Sequence, residues 1–516
     1  MKLIKIAALI MLIVAIPVIV FSCADGTEDI TPTVPAVDDA SSADEIEGQI
    51  VEEEYDDGTI RAATYIEPRP DYPELPVRDL GGHNFRIISR CPTHNVHWGN
   101  IEIWSEELNG DPINDAVFTR NSAVEERYNV YITNFPTHEG DILNRVRTSV
   151  RAGSDDFDLV VLNINYQYTL AQEGMIHDLK RVPYVDLTRR WWDQRAVEQL
   201  TIAGRLFSTT SDLTIRDKDA SIIMMFSHTL AQNHGLPNLY DMVNNGTWTF
   251  EAMFDMMRQA TVDLTGDGNI GHEDQVGLLT QNIHALMLFN AAGETLARLD
   301  SDGFPELTMH NERAVVVADF IREMQSGRYA FNAEDASPFF GDIWDEFQVP
   351  MFAADRALFY HAGMNRVSLL RSMETDFGIL PPPKFDENQE NFHITVDAWC
   401  ASSISIPISV SDIDTTGLIL EALTFESRYT LIPAYYHINL ITRFARDEES
   451  HEMINIILDN RVYDLGEVFR WGNIRSFFYN DVARGGTASL TTFYDRSANM
   501  IQRQLERTID RLEDVD

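Results

Sequence analysis

One segment of this chain carries oxygen-bearing side chains at the spacing of a calcium-binding loop. Within residues 263–274, the ligands would come from alternate positions and from the twelfth: Asp263, Thr265, Asp267, Asn269 and Asp274. Such a loop wraps hard carboxylate and carbonyl oxygens around one Ca²⁺. Thr265 replaces the usual Asp or Asn, and Asp274 replaces the longer Glu that binds with both oxygens. Two interpretations therefore stay open: a structural Ca²⁺, or an acidic turn stabilised by its own side chains.

A second group of polar side chains follows predicted strands. Residues 85–89 and 157–162 are largely apolar runs of strand length. Arg90 follows the first run, and Asn163 and Tyr166 follow the second. In a parallel sheet covered by helices, ligands bind beyond the carboxyl ends of the strands, so we predict these three side chains in the wall of a cleft. Ordinary polar loop residues are the alternative.

The segments around these residues alternate between strand and helix. Asn114 is predicted to cap a helix over residues 115–127, because its amide can accept a hydrogen bond from the first turn. A strand at 131–132, a helix over 141–152 that ends at Gly153, and the strand at 157–162 follow. This order predicts a parallel sheet and the α/β fold class. Residues from 77 to the C-terminus are too many for one hydrophobic core, so we expect two lobes.

The N-terminus has the features of a secretory signal peptide over residues 1–22. Lys2 and Lys5 precede an apolar run that ends at Ser22, and this run is shorter than the roughly 20 residues that cross a bilayer. The residues before Cys23 resemble a bacterial lipobox, in which the cysteine is lipidated. We therefore expect an exported protein, anchored by lipid at Cys23 to the outer face of the bacterial cytoplasmic membrane. A secreted protein with an incidental cysteine is the alternative.

Residues 23–76 are acidic and poor in apolar side chains. From residue 24 to residue 76 there are 16 Asp and Glu residues against two Arg residues, a composition that favours a disordered linker. The whole chain has a formal net charge of −41. This charge argues against nucleic acid as a partner, since phosphate binding requires clustered Lys and Arg. Cys91 and Cys400 could form one disulfide outside the cell, but two distant cysteines do not decide the question.

Several short strings occur in the order and spacing of a known protein family. They are LGGHNFRI from Leu80, INDAV from Ile113, VEERYNV from Val124, VDL from Val185, WWD from Trp191 and GTWTF from Gly246. In these strings the chain resembles the extracellular solute-binding proteins of ABC importers, specifically family 1, which is related to the maltose-binding proteins. Phe250 departs from the Trp that ends the family's helix-entry motif.

The resemblance implies a two-lobed, periplasmic-binding-protein-like fold of type II. Each lobe would have a mainly parallel sheet flanked by helices, with the ligand cleft between the lobes. The implied segments are 77–204 for the first lobe, 205–376 for the second, 377–417 for a return to the first, and 418–516 for C-terminal helices across both lobes. Bound ligand would close the lobes by a hinge motion.

The family layout also implies ligand contacts from the second lobe and from aromatic side chains. The candidates are Asn282, His284, Tyr360, His361, Trp399 and Trp471. Sugars have apolar faces and hydroxyl rims, so their sites combine aromatic platforms with polar side chains. Each large aromatic residue has a position in the core as its alternative. We interpret Trp191 and Trp192 as structural.

We therefore predict a binding protein that captures a small solute, a sugar or oligosaccharide, for the permease subunits of an ABC importer. A monomer with no required cofactor is expected. The sequence contains no P-loop, HExxH, GxSxG or dinucleotide motif, so we do not predict an enzyme. Two alternatives stay open: a surface-anchored glycan-degrading hydrolase, whose carboxylate pair would be invisible in sequence, and a ligand-sensing lipoprotein that reports to a membrane kinase.

Overall fold

The computed structural model describes residues 49–54, 60–66, 69–70, 72–370, 373–436 and 448–513. The expected signal peptide and the lipidation site at Cys23 lie outside the described residues. The strands in chain order are β1 Gln49–Glu54, β2 Ile60–Ile66, β3 His83–Arg90, β4 Val130–Thr137, β5 Leu159–Asn163, β6 Ile222–Ser227, β7 Val276–Thr280, β8 Ala297–Leu299, β9 Pro305–Leu307, β10 Ala330–Asn332, β11 Ala357–Gly363, β12 Phe377–Leu380, β13 Ile394–Thr395, β14 Ser402–Ser405 and β15 Arg461–Val462.

The described α-helices surround these strands. In chain order they are α1 Pro112–Tyr128, α2 Glu139–Ala152, α3 Ile164–Gln172, α4 Gln194–Leu200, α5 Arg216–Asp219, α6 His228–Asn233, α7 Leu239–Asn244, α8 Phe250–Ala260, α9 His284–Ala291, α10 Glu312–Ser326, α11 Val349–Ala353, α12 Asn365–Leu369, α13 Ile413–Tyr429, α14 Leu431–Tyr436, α15 Glu448–Asp459, α16 Leu465–Phe469, α17 Ile474–Phe477 and α18 Leu490–Glu513. None of these helices is both long enough and apolar enough to span a bilayer.

The first sheet has the strand order β14-β5-β3-β4. Strands β3, β4 and β5 run parallel, with Ile88 level with Phe135, because helical crossovers connect them. Strand β14 runs antiparallel to β5 and brings Ser402 opposite Asn163. The carboxyl ends at Arg90 and Asn163 therefore lie at the same edge of this sheet.

The local elements of the first lobe largely follow the sequence pattern. The three predicted strands overlap β3, β4 and β5, and α2 ends at Gly153, whose φ of 64° is the left-handed conformation that glycine accepts. The predicted cap of α1 is wrong: Asp111, not Asn114, accepts the capping hydrogen bond, and it does so from the backbone N–H of Asn114. Pro112 starts the helix earlier than expected, because a proline in the first turn has no N–H that needs a partner.

The second sheet has the strand order β10-β7-β11-β6-β12. Strands β10, β7 and β11 are parallel, and β6 is antiparallel to its neighbours β11 and β12. Residues Phe377–Leu380 therefore belong to the second lobe, and the expected return to the first lobe at residue 377 is wrong. The ladder between Ile379 and Met225 holds β12 in this sheet, a long-range pairing that a four-residue apolar run does not specify.

The chain crosses between the two sheets in two adjacent segments. In the outgoing segment, Thr209 bridges to Ile404 beside the first sheet, and Ser221 bridges to Val396 beside the second. The returning segment therefore runs from Val396 to the start of β14. Its residues 397–401 lie between the sheets, and we call them the crossing segment.

Part of the expected disordered linker is ordered. Strands β1 and β2 form an antiparallel hairpin. Arg69 Nη2 donates to Glu426 Oε1 at 2.7 Å, and the Tyr72 ring lies 4.6 Å from the ring of Phe425 on α13. The expectation of disorder is therefore wrong for this part of residues 23–76. The sequence IRAATYI of β2 is rich in β-branched and aromatic residues that favour strands, and Tyr72 buries its ring on the first lobe.

Two tandem tryptophans lie in the core of the first lobe. Trp191 and Trp192 are both buried. Their indole N–H groups donate to the carboxylate of Glu421 on α13, at 2.8 and 3.1 Å. These contacts agree with the structural role that we expect for both residues.

Candidate functional site

The carboxyl end of β3 places a buried arginine against the crossing segment. Arg90 is 1% exposed. Its Nη2 donates to the carbonyl oxygen of Cys400 and to Ser402 Oγ, both at 2.7 Å. Its Nε and Nη1 have no hydrogen-bond partner among the described residues. Burial lowers the pKa of Arg90 to about 10, so the guanidinium keeps its charge at neutral pH.

The carboxyl end of β5 adds two buried amides to the same region. Asn163 Nδ2 donates to the carbonyl oxygen of Trp399 at 2.8 Å, while its Oδ1 has no partner in the described part of the chain. The backbone N–H of Asn165 donates to the carbonyl oxygen of Ala398 at 3.2 Å. Neither polar atom of the Asn165 side chain is hydrogen-bonded to a described residue. The first lobe therefore offers donors and acceptors beside the crossing segment.

The second lobe contributes a buried amide and two buried imidazoles. Asn282 follows β7, and its side-chain atoms have no partner among the residues described. The rings of His284 and His361 lie 4.7 Å apart. Both nitrogens of His361 likewise lack a described partner. Burial lowers the pKa of both histidines, to about 4 for His284, so both rings are neutral at neutral pH.

A tryptophan of the crossing segment links these groups to the C-terminal helices. Arg470 Cζ lies 3.4 Å from the ring centroid of Trp399 and 5.5 Å from that of Tyr166. Arg475 pairs with Asp397, with Nη2 3.3 Å from Oδ2. The indole N–H of Trp399 is buried and has no partner among the described side chains. Tyr166 and Trp399 therefore lie on either side of one arginine, which covers the Trp399 ring.

A loop after β3 touches the second lobe. His97 Nε2 lies 3.6 Å from Asp345 Oδ2, and Arg366 Nη1 donates to Asp345 Oδ1 at 3.1 Å. Trp98 packs near Gly363 at the end of β11, where an added methyl group would come within 3.5 Å of the indole. The two lobes are therefore in contact close to the carboxyl end of β11.

Two predicted ligand contacts lie in the core instead. The Tyr360 hydroxyl donates to Gln348 Oε1 at 3.0 Å, and the side chain is fully buried. The indole N–H of Trp471 donates to Thr508 Oγ1 at 3.0 Å, and its ring stacks on Phe469. Because both side chains have satisfied polar atoms and packed rings, we leave them out of the site. Tyr360 is buried because both faces of strand β11 are covered, and Trp471 is buried because it packs beneath α18.

The carboxylates of the 263–274 loop bind the loop's own amides. Asp263 accepts from the backbone N–H of Gly266 at 2.6 Å, and Asp274 accepts from that of Gly271 at 2.7 Å. The other predicted ligands are exposed and belong to the same turn: Thr265, Asp267 and Asn269. In the described part of the chain, three or more metal-binding side chains converge within 4.8 Å only at His97, Asp342 and Asp345. These hydrogen bonds are those of an acidic turn, and the Ca²⁺ site stays a prediction.

A groove of about 760 Å³ lies on the first lobe. Its lining includes Asp141 and Arg145 of α2 with Phe157 and Thr137. Arg145 already donates to Thr137 Oγ1 at 2.8 Å and lies over the Phe157 ring. Since its charged side chain is satisfied and the second lobe contributes nothing to it, we place the candidate site between the lobes.

Solved structures resemble this arrangement over most of the chain. The maltose/maltodextrin-binding domain MalE from Bdellovibrio bacteriovorus, bound to maltotriose, has a TM-score of 0.51 and 12% identity, covering 82% of this chain and 100% of that one. The ABC substrate-binding protein Lmo0181 from Listeria monocytogenes, in complex with cycloalternan, has a TM-score of 0.50 and 12% identity, covering 84% and 98%. UgpB from Mycobacterium tuberculosis, in complex with glycerophosphocholine, has a TM-score of 0.53 and 16% identity, covering 84% and 99%.

The chain has the fold of ABC solute-binding proteins. At such low identity the likeness concerns the fold alone. It confirms the predicted two-lobed α/β fold of type II. No family model and no curated protein matches the sequence.

Within this solute-binding fold, several residues that we did not predict belong to the candidate site. Each has a buried polar atom without a described partner: Asn165, Gln348, Asn365 and Arg470. Asn165 follows the same strand as Asn163, and Asn365 follows β11, so the rule of strand ends could have found both. Arg470 directly precedes the predicted Trp471. Gln348 gives no such signal, because its position depends on the fold around Tyr360.

Proposed function

We propose that this protein binds a small polar solute, a sugar or oligosaccharide, between its lobes and delivers it to an ABC importer. The observation that supports this most is a set of buried polar atoms without described partners, contributed by both lobes and the crossing segment: Arg90, Asn163, Asn165, Asn282, His361 and Trp399. An unsatisfied buried polar group costs about 1–3 kcal/mol. Ligand hydroxyls, which both donate and accept, would satisfy this mixture of amide, imidazole and guanidinium groups.

The fold likeness supports a saccharide as the solute. The MalE domain and Lmo0181 hold oligosaccharides in their structures, and UgpB holds a different polar solute. In this chain, Tyr166 and Trp399 place aromatic rings beside the unpaired amides. Rings next to hydrogen-bonding groups suit the apolar faces and polar rims of sugars.

The geometry supports capture without chemical turnover. A ligand that bonds to Asn163 in one lobe and Asn282 in the other stabilises the closed form over the open one, because only the closed form makes both sets of contacts. The two neutral imidazoles can each donate and accept one hydrogen bond. The contacts with the ligand then stabilise the closed form, and release of the ligand requires the lobes to reopen.

Tryptophan fluorescence tests the binding proposal. Titration of the protein with maltotriose and a panel of neutral oligosaccharides should give a saturable signal, with the sugar recovered unchanged. Trp399→Phe should remove most of the signal, whereas Trp104→Phe, at an exposed site of the first lobe, should keep it. Shortened sugar products would instead support a hydrolase, and no binding to any small polar solute would contradict the proposal.

The lipid anchor rests on the sequence before Cys23. In cells, Cys23→Ser should release a folded, ligand-binding protein into the medium. Cys91→Ser is the control, because Cys91 is a free cysteine in the folded domain and should not alter attachment. Membrane retention of the Cys23→Ser protein would show that another feature holds it there.

Delivery to a permease and reporting to a kinase begin with the same binding event. Uptake of a labelled ligand by cells with and without this protein separates them. Loss of uptake without the protein supports delivery to an importer, whereas unchanged uptake with a lost transcriptional response supports sensing.

A further inference from the structure

Two arginines at the cleft have guanidinium nitrogens without a described hydrogen-bond partner. The carboxylate nearest to Arg90 belongs to Glu139, 4.0 Å away, and two of its guanidinium nitrogens are buried without partners in the described chain. Arg470 makes no described ion pair; its guanidinium lies on Trp399, and its Nη2 is buried without a described partner. Its backbone φ of 58° is left-handed, an uncommon conformation for a residue with a side chain.

The neighbouring arginines of the same region are all paired. Arg475 pairs with Asp397 at 3.3 Å, Arg366 with Asp345 at 3.1 Å, and Arg216 Nη1 with Asp219 Oδ2 at 2.6 Å. The chain contains 81 acidic residues against 40 Lys and Arg. Carboxylates are therefore abundant, yet among the described residues Arg470 has no ion pair and Arg90 has only the contact with Glu139 at 4.0 Å.

Buried guanidinium N–H groups without acceptors, such as Nε and Nη1 of Arg90, cost stability. The planar fork of arginine matches a carboxylate, to which it can donate two parallel hydrogen bonds. The crossing segment brings both arginines to one place, because Arg90 donates to the Cys400 carbonyl and Arg470 covers the adjacent Trp399. A ligand that carries its own carboxylate would complete this arrangement.

We propose that the cleft binds an acidic saccharide, an oligosaccharide that contains uronate residues, with its carboxylate held by Arg90 and Arg470. This inference rests on the proposed function and specifies its substrate class. Trp399 and Tyr166 would contact the sugar ring next to the carboxylate, with Asn163 and Asn282 bonding to hydroxyls.

Binding measurements on matched ligands test this inference. The probes are trimers of galacturonate and of mannuronate, the methyl esters of both, maltotriose, and succinate as a carboxylate without a sugar. At least one acidic trimer should bind at least ten times more tightly than its methyl ester, and its affinity should fall as salt is raised. Arg470→Gln should abolish the preference for the acid over the ester. Arg298→Gln, at an exposed ion pair of the second lobe, should keep it.

The outcomes separate this inference from the proposed function. Equal or tighter binding of the esters or of maltotriose overturns the acidic-saccharide inference and leaves saccharide binding in place. Succinate binding as tight as that of the trimers overturns the saccharide part of both proposals. Binding of no probe by a folded protein overturns the inference. A preference for the acid that survives in Arg470→Gln and also in Arg90→Lys overturns the assignment of the two arginines.

Discussion

Two buried polar regions of this molecule differ in how their side chains are satisfied. Around α5, every charge has a partner of opposite sign: Asp217 accepts from Arg461 Nη1 at 3.0 Å and from Lys218 Nζ at 3.2 Å, and Arg461 Nη2 also lies 3.0 Å from Asp193 Oδ2. At the cleft, amides and imidazoles such as Asn282 and His361 have no described partner. The paired region stabilises the fold, whereas the unpaired region costs stability and leaves hydrogen-bonding capacity for a ligand.

The largest expected effect comes from breaking the paired region. Asp217→Ala leaves Lys218 and Arg461 buried with too little negative charge, so we expect a loss of about 3–5 kcal/mol in the free energy of unfolding. Urea denaturation measures this loss. Asp255→Ala removes a carboxylate from an exposed ion pair with Arg258, and it should cost less than about 1 kcal/mol. Equal losses for both variants would contradict the distinction between the buried paired region and an exposed ion pair.

Glu421 is a buried acid whose side-chain hydrogen-bond donors are neutral, and it gives a second test of the difference between paired and unpaired groups. Burial raises the pKa of Glu421 from 4.5 to about 7, although two indole N–H groups stabilise its charged form. The folded state therefore holds this proton more tightly than the unfolded state, and stability falls as the pH rises from about 4.5 through about 7. Between pH 4 and pH 8, the free energy of unfolding of the wild type should fall by on the order of 3 kcal/mol more than that of Glu421→Gln. Parallel stability curves for the two proteins would rule this out.

Two buried asparagines of the second lobe test the unpaired region directly. Asn290 Nδ2 donates to Asp464 Oδ2 at 2.9 Å, and its Oδ1 accepts from Thr395, while the Asn282 side chain has no described partner. Asn290→Leu should therefore lower the melting temperature, because it removes one hydrogen bond from Asp464 and takes from the Thr395 hydroxyl its described acceptor. Asn282→Leu should leave the melting temperature unchanged or raise it by a few degrees, yet weaken ligand binding at least tenfold. Destabilisation by both substitutions would mean that Asn282 is structural.

The smallest expected effect concerns the acidic loop on the surface. Asp263 and Asp274 already accept backbone N–H groups, so the loop resembles the paired region in being satisfied from within. Addition of EDTA should leave the melting temperature unchanged. A fall in melting temperature that added Ca²⁺ reverses would show that the loop binds the ion.

The sequence predicted elements with strong local patterns. The predicted helix over residues 141–152 lies within α2, because its apolar residues recur at helical spacing and Gly153 ends it. The edge strand β12 was assigned to the wrong lobe, because its partner β6 lies far away in sequence. Long-range pairing of this kind depends on the whole fold and cannot be inferred from a run of four apolar residues.

The candidate site was predictable only where it follows strand ends. Arg90 and Asn163 come directly after predicted strands, and the structure places both against the crossing segment. Trp471 was not distinguishable from a ligand-binding aromatic residue, because its burial depends on Thr508, in the last helix. Arg470, one residue earlier, instead has a side-chain nitrogen without a described partner. Adjacent residues of a short irregular segment point in directions that sequence periodicity does not determine.

The contact between the lobes has a kinetic consequence. His97 and Asp345 meet across the lobes, and the unpaired atoms of Asn282 and His361 are buried. A ligand reaches these atoms only after the lobes separate, so opening precedes binding. In stopped-flow measurements the observed rate should level off at high ligand concentration, at the rate of opening, rather than rise in proportion to the concentration. The contact would then set how quickly the protein responds to a sudden supply of solute.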